Sequence, residues 1–193
     1  QQMGGHGGPG IVAVSYQIPK SAGTATATGG VVTFTPTSVV HTFVEPGTWT
    51  KNSVSTVDIL VVGGGGGGGG MNAAGGGAGA LHYKPNHSVP GDSTFAITIG
   101  LGGRGMTGSR DASGGEYGYG EPGNDTTTGN FGITAAGGGG GGTNNPQNAG
   151  RAGGSGGGGA DSGSGGTGSG DSGHPGAADQ ASPSNGWGND GGA

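Results

Sequence analysis

The chain has no cysteine, and only six lysines and arginines stand among its 193 residues. Without cysteine there is neither a disulfide framework nor a thiolate metal site. The six cations, at positions 20, 51, 84, 104, 110 and 151, are scattered, and the formal charge is −5. No basic patch faces a phosphate backbone, so nucleic acid is not an expected partner. Charged residues make up 9% of the chain, where a soluble domain averages about a quarter. Apolar residues make up only 27%, so only small cores can be buried. No apolar stretch approaches the roughly 20 residues that cross a bilayer, and membrane insertion is not expected. The first residues lack the charged and apolar pattern of a leader. The chain does not begin with Met, and a piece of a longer polypeptide is expected. Helical periodicity is missing throughout, so no α-helix is expected.

Glycine dominates what is present. It supplies 58 residues, and 49 of these follow Val62, beginning with the unbroken run Gly63 to Gly70 directly after the apolar segment Val57-Asp58-Ile59-Leu60-Val61-Val62. Further blocks stand at 75–77, 137–142 and 156–159. A flexible linker is the ordinary reading of such sequence. Collagen is excluded because Gly-X-Y is not kept and only 10 prolines are present. The account adopted is a bundle of polyglycine II-type extended helices. Such a helix satisfies none of its backbone groups internally, so each buried run must exchange N–H and C=O bonds with neighbours. Each glycine loses much chain entropy on ordering, so only a cooperative bundle of several runs can hold.

Residues 11 to 62 read as β-structure, because β-branched and aromatic residues cluster in short runs between Gly, Pro and Thr. Candidate strands are Ile11 to Ile18, Gly30 to Thr35, Ser38 to Glu45 and Ser55 to Val62. A fifth, Ser93 to Ile99, alternates Phe95, Ile97 and Ile99 against Thr94, Ala96 and Thr98, which implies one buried face of an antiparallel sheet. The steps Glu45-Pro46-Gly47-Thr48 and Pro90-Gly91-Asp92 have turn chemistry. The expected fold is mainly β, a small antiparallel β-sandwich-like part joined to the bundle of extended glycine helices.

Several motifs tempt and fail. Eight consecutive glycines match any glycine spacing, and the nucleotide-binding G-x-G-x-x-G needs a helix that does not follow. Gly170-Asp171-Ser172-Gly173 and Gly153-Gly154-Ser155-Gly156-Gly157 look like serine-hydrolase signatures, but both are cheap in a Gly/Ser tract and lack the flanking strand and helix. The run Gly156 to Asp161 begins like the calcium-binding nonapeptide repeat, yet Gly163 stands where a large aliphatic residue is required. Histidines 6, 41, 82, 87 and 174 show no metal-ligand spacing. No catalytic residue, cofactor or metal site is therefore expected. Sequons stand at Asn86 and Asn124.

The few aromatics divide into two groups. Trp49, Phe43, Phe34 and Phe95 lie in strand patterns and are expected in the core. Tyr117, Tyr119 and Trp187 stand in Gly-rich segments, where rigid aromatics among small polar residues form adaptable binding surfaces. The alternative is that they wedge between glycine helices.

In this order the segments resemble the glycine-rich domain of phage tail fibres and adhesins and of related environmental fibre proteins. The segments concerned are His41 to Thr50, Val57 to Gly70, Gly75 to Gly79, Pro90-Gly91-Asp92 leading into Thr94 to Gly100, Gly102-Gly103, Asn124 to Phe131, Ala135 to Gly142, Gly153 to Gly159 and Gly188 to Gly192. The resemblance implies a β-sandwich-like start, a layer of glycine helices, and fibre building or host attachment rather than catalysis.

One departure stands out. Domains of this kind tend to close with a GG-x-G-x-GIVxVxY-like strand, which this chain carries at its beginning, Gly4 to Tyr16. Residues 1–18 are thus expected to finish a preceding or neighbouring unit, with Ile11, Val12, Val14, Tyr16 and Ile18 as the assembly strand. Residues 19–62 form the β-rich part, and 63–193 the glycine-rich part with one further strand at 93–99. The function expected is that of a noncatalytic repeat unit in an extracellular or virion fibre, assembling by head-to-tail strand exchange with copies of itself. A receptor-binding adhesin at a tail-fibre tip, contacting a cell-surface receptor or glycan, is the alternative. A flat glycine face binding ice or a small ligand ranks below it.

Overall fold

A computed structural model describes residues 3–18, 25–70, 73–89, 91, 94–106, 118–143, 149–160, 163–166 and 187–192. The protein is mainly β, built from antiparallel sheets, with no α-helix among the described residues and a single 3-10 turn at Gly129–Phe131. The described residues form ten strands: β1 (Ile11–Gln17), β2 (Ala27–Thr28), β3 (Val31–Phe34), β4 (Ser38–Phe43), β5 (Gly47–Lys51), β6 (Thr56–Val62), β7 (Leu81–Ser88), β8 (Thr94–Ile97), β9 (Thr126–Thr127) and β10 (Thr134–Ala135). The larger sheet runs β3-β4-β1-β6-β7, the smaller one β2-β5-β8, and β9 pairs with β10.

Alternation determines which side chains enter the core. Val12, Val14 and Tyr16 of β1, Val39, His41 and Phe43 of β4, and Val57, Ile59 and Val61 of β6 are all buried at every second position. From the smaller sheet Ala27, Trp49, Phe95 and Ile97 join the same cluster, with Ile99, Phe131 and Ile133 beside them. Trp49 is fully enclosed; its ring lies 5.4 Å from Phe95, 5.5 Å from Phe131 and 6.1 Å from His41. Phe95 and Phe131 stack at 3.9 Å.

Three sequence expectations change here. Phe34 is 53% exposed, because β3 is an edge strand lying beyond the cover of the smaller sheet. Gly47 and Thr48, expected in a turn, begin β5, where Thr48 faces Ala96. Beyond Gly63 the chain supplies β7, β9 and β10 as well as the strand expected at 93–99. Proline and lysine hid β7. Its bulge opposite Val57 and Ile59 accommodates Pro85 and Asn86, and Asp58 Oδ1 accepts the Asn86 N–H at 2.8 Å.

The glycine runs are continuations of the strands. The β6–β7 ladder places Val62 opposite Leu81, and the same register continues through Gly63 to Ala80, Gly66 to Gly77 and Gly69 to Ala74. Ile11 faces Val62 in the β1–β6 ladder, and Gly65 and Gly68 then donate to Gly8 and Gly5. Ala135 faces Thr126, and Gly123 and Gly120 donate to Gly138 and Gly141. Register is kept while the spacing of bonds changes. Within a strand, every second residue addresses a given neighbour; within a run, every third residue does.

Candidate functional site

With three-residue spacing, consecutive glycines must point to three different neighbours. Gly63, Gly66 and Gly69 donate to the segment 74–80; Gly64 and Gly67 donate to Asn124 and Glu121; Gly65 and Gly68 donate to Gly8 and Gly5, all at 2.8–3.1 Å. Carbonyls of this run accept from Gly103 and Met106 on one side and from Gly138 and Gly141 on another. Run 63–69 is thus enclosed by five other segments, and their backbones replace the side chains of an ordinary core.

Such closeness excludes Cβ atoms. A Cβ on Gly137 or Gly140 would overlap the carbonyls of Gly123 and Gly120, one on Gly138 or Gly141 those of Gly77 and Ala74, and one on Gly139 that of Arg151. No glycine in these runs has a φ in the left-handed region, so glycine is required here for close approach rather than for backbone freedom. The array is not closed on all sides. Gly5, Gly8 and Gly75 have open space where a Cβ would stand.

The expected assembly strand lies in the middle of the larger sheet. β1 pairs antiparallel with β4 on one side (Ala13 opposite Thr42, Val14 opposite His41) and with β6 on the other (Val14 opposite Ile59). Val12, Val14 and Tyr16 are buried, whereas Ile11 and Ile18 are half-buried. In the single chain, then, β1 completes its own sheet. Tyr16 ties this strand to its surroundings. His41 Nδ1 lies 2.7 Å from the Gly29 carbonyl, so it must be the protonated nitrogen. Nε2 then accepts the Tyr16 hydroxyl proton at 3.3 Å, and the Tyr16 oxygen accepts the Thr26 N–H at 3.0 Å. The two rings stack at 5.6 Å. A lone histidine carries no burial signal of its own, but a period of two along β4 places His41 on the face of Val39 and Phe43.

The aromatic surface is not gathered into one site. Tyr117 lies outside the described residues, as does the Gly170-Asp171-Ser172-Gly173 segment. Tyr119 is half-buried, with the Arg151 guanidinium 4.5 Å above its ring. Trp187 is half-buried and exchanges both backbone bonds with Leu81 at 2.8 and 3.1 Å, extending the β7 edge. Thr126 and Thr128 are fully enclosed, Thr126 Oγ1 accepting the Gly100 N–H and Thr128 Oγ1 the Ile133 N–H. Neither is displayed to a ligand. Among the described residues no group of three or more His, Cys, Asp or Glu is placed to hold a metal.

A profile described as a glycine-rich domain matches residues 37–193, from the turn before β4 to the end of the sequence. The chain belongs to this family. β1, β2 and β3 precede the matched span. Comparison with curated proteins and with solved structures gave no match.

Proposed function

We propose that this glycine-rich domain is a noncatalytic structural or attachment module, a repeat unit of an extracellular or virion fibre, and that its runs are polyglycine II-type helices. Copies join head to tail by exchanging β1. The observation that carries the reading is the place of β1: the first strand of the chain lies in the middle of the larger sheet, between β4 and β6, and precedes the span matched by the family. Removing it leaves two open strand edges and a vacant place beside run 63–69. A neighbour's β1 can fill both with the same contacts, since strand addition is specified by main-chain bonds and alternating pockets.

Two single-cysteine variants, Ala13→Cys and Thr42→Cys, test the exchange. These residues face each other, within the separation a disulfide spans. If β1 is exchanged, oxidising an equimolar mixture links one variant to the other. If each chain keeps its own β1, only the double variant closes, within a single chain, and the fibre reading loses its joint. The tip-adhesin reading depends on displayed aromatics, and one face of Tyr119 is already covered by Arg151.

A further inference from the structure

The sheet edges are treated unequally. β7 carries Lys84, Pro85 and a bulge, and Trp187 covers its end. β8 runs on to Thr98, which bonds to Thr127 of β9. β2 is only two residues long. These are the ordinary ways in which a protein prevents its edges from pairing. Among the described residues β3 has none of them. All four of its residues are exposed, with Val31 at 66%, Val32 at 38% and Phe34 at 53%. No Asp, Glu, Lys or Arg occurs between Lys20 and Glu45. A shallow groove whose lining includes Val31, Phe43, Val44 and Pro46, with Glu45 as a charged member, lies beside it.

The edge is also held rigid and in a known phase. Thr35 N–H donates to Ser38 C=O at 2.8 Å, closing the turn into β4, and Thr35 Oγ1 accepts the Ser38 N–H at 2.9 Å. Thr35 and Ser38 are therefore a hydrogen-bonded pair. With Thr33 opposite Val40 and Val31 opposite Thr42, alternation makes these hydrogen-bonded pairs as well. Val32 and Phe34 consequently direct their N–H and C=O groups outward. Their side chains continue the row of His41 and Val39, the core face of the sheet, past the edge of its cover.

We propose that β3 is an assembly edge at which two copies of this chain pair antiparallel about a two-fold axis through Thr33, joining their larger sheets into one. The outward groups set the register: Val32 of each copy exchanges bonds with Phe34 of the other. This places a β-branched residue opposite an aromatic on the core face, a favourable cross-strand pair. The segment is self-complementary and uncharged, so a second copy meets it without electrostatic cost, and the contact is isologous and closes on itself. The pairing does not depend on the exchange of β1.

Thr33 would face its own symmetry mate as a non-hydrogen-bonded pair, with Cα atoms about 4.5 Å apart, inside the disulfide range. Because the chain has no cysteine, Thr33→Cys reports on this contact alone. Under oxidation it should form covalent dimers far faster than Thr48→Cys, an exposed position on β5. Sedimentation equilibrium of the unaltered chain should show association, and Val32→Lys or Phe34→Lys should each reduce it while the chain still unfolds cooperatively, its melting temperature lowered only by the loss of the contact. Monomers at every concentration, equal cross-linking at positions 33 and 48, or association left unchanged by both lysine variants would each overturn the proposal. Should both lysine variants unfold, the ratio of the two cross-linking rates decides.

Discussion

Tyr16 is the residue on which the seating of β1 depends most visibly. Its hydroxyl stands between the Thr26 N–H and His41 Nε2, and His41 is fully buried. Tyr16→Phe keeps the packing but leaves two polar groups without this partner, so it should cost about 1–3 kcal/mol of stability, read from chemical denaturation. His87 gives the residue-scale pH dependence. Burial first, and then the charge of Lys84, lower its pKa from the ordinary 6.5, and its ring meets Phe131 edge-on at 5.9 Å. Well above pH 6.5 it is neutral whether the chain is folded or not, and contributes no pH dependence. As the pH falls below that value, the unfolded chain takes up the proton first, so stability declines until the folded-state pKa is also passed. Melting temperature should therefore fall with acidification below pH 6.5, and His87→Gln should flatten that part of the profile. An unchanged slope in the variant would remove His87 as the cause.

At the scale of elements, the glycine runs and the strands obey one rule, since both are held by backbone bonds in a shared register. What separates them is how near the neighbours stand. Gly140 is buried and faces the Gly120 carbonyl, while Gly75 faces open space. Gly140→Ala should destabilise by roughly 1–3 kcal/mol or more, as overpacking does. Gly75→Ala should be neutral or slightly stabilising, since alanine restricts the unfolded chain. Equal effects at the two positions would contradict a packed array.

Strand legibility varied for physical reasons. Phe95, Ile97 and Ile99 alternate against small polar residues, and the structure buries all three. Phe34 carries the same signal without the burial, because alternation reports a strand and cannot report whether a second sheet reaches far enough to cover it. β7 gave almost no signal, since Lys84, Pro85 and Asn86 belong to an edge strand and are tolerated where one side is unpaired.

For the molecule as a whole, continuous registers predict shared fate. The β6–β7 and β1–β6 ladders run from the sheets into the runs without a break, so neither part can unfold while the other keeps its partners. Trp49 fluorescence, isolated in a Trp187→Phe background, reports the sandwich; amide exchange at Gly137 to Gly142 reports the array. The two should unfold in one transition, and Gly140→Ala should shift both midpoints together. Separate transitions would show two independent bodies.

The sequence by itself determined the class. Sparse charge, absent cysteine, β-branched runs and blocks of glycine leave an antiparallel β protein whose glycine half has to be held by backbone bonds, because those are local properties of composition and period. Only the tertiary structure decided which residues share a core, where β1 sits, and which edge is left apolar and unguarded. These depend on register and on how far one sheet extends over another. Identical glycines cannot encode register within a run; it is inherited from the β-branched ladders that Val62, Leu81 and Ile11 begin.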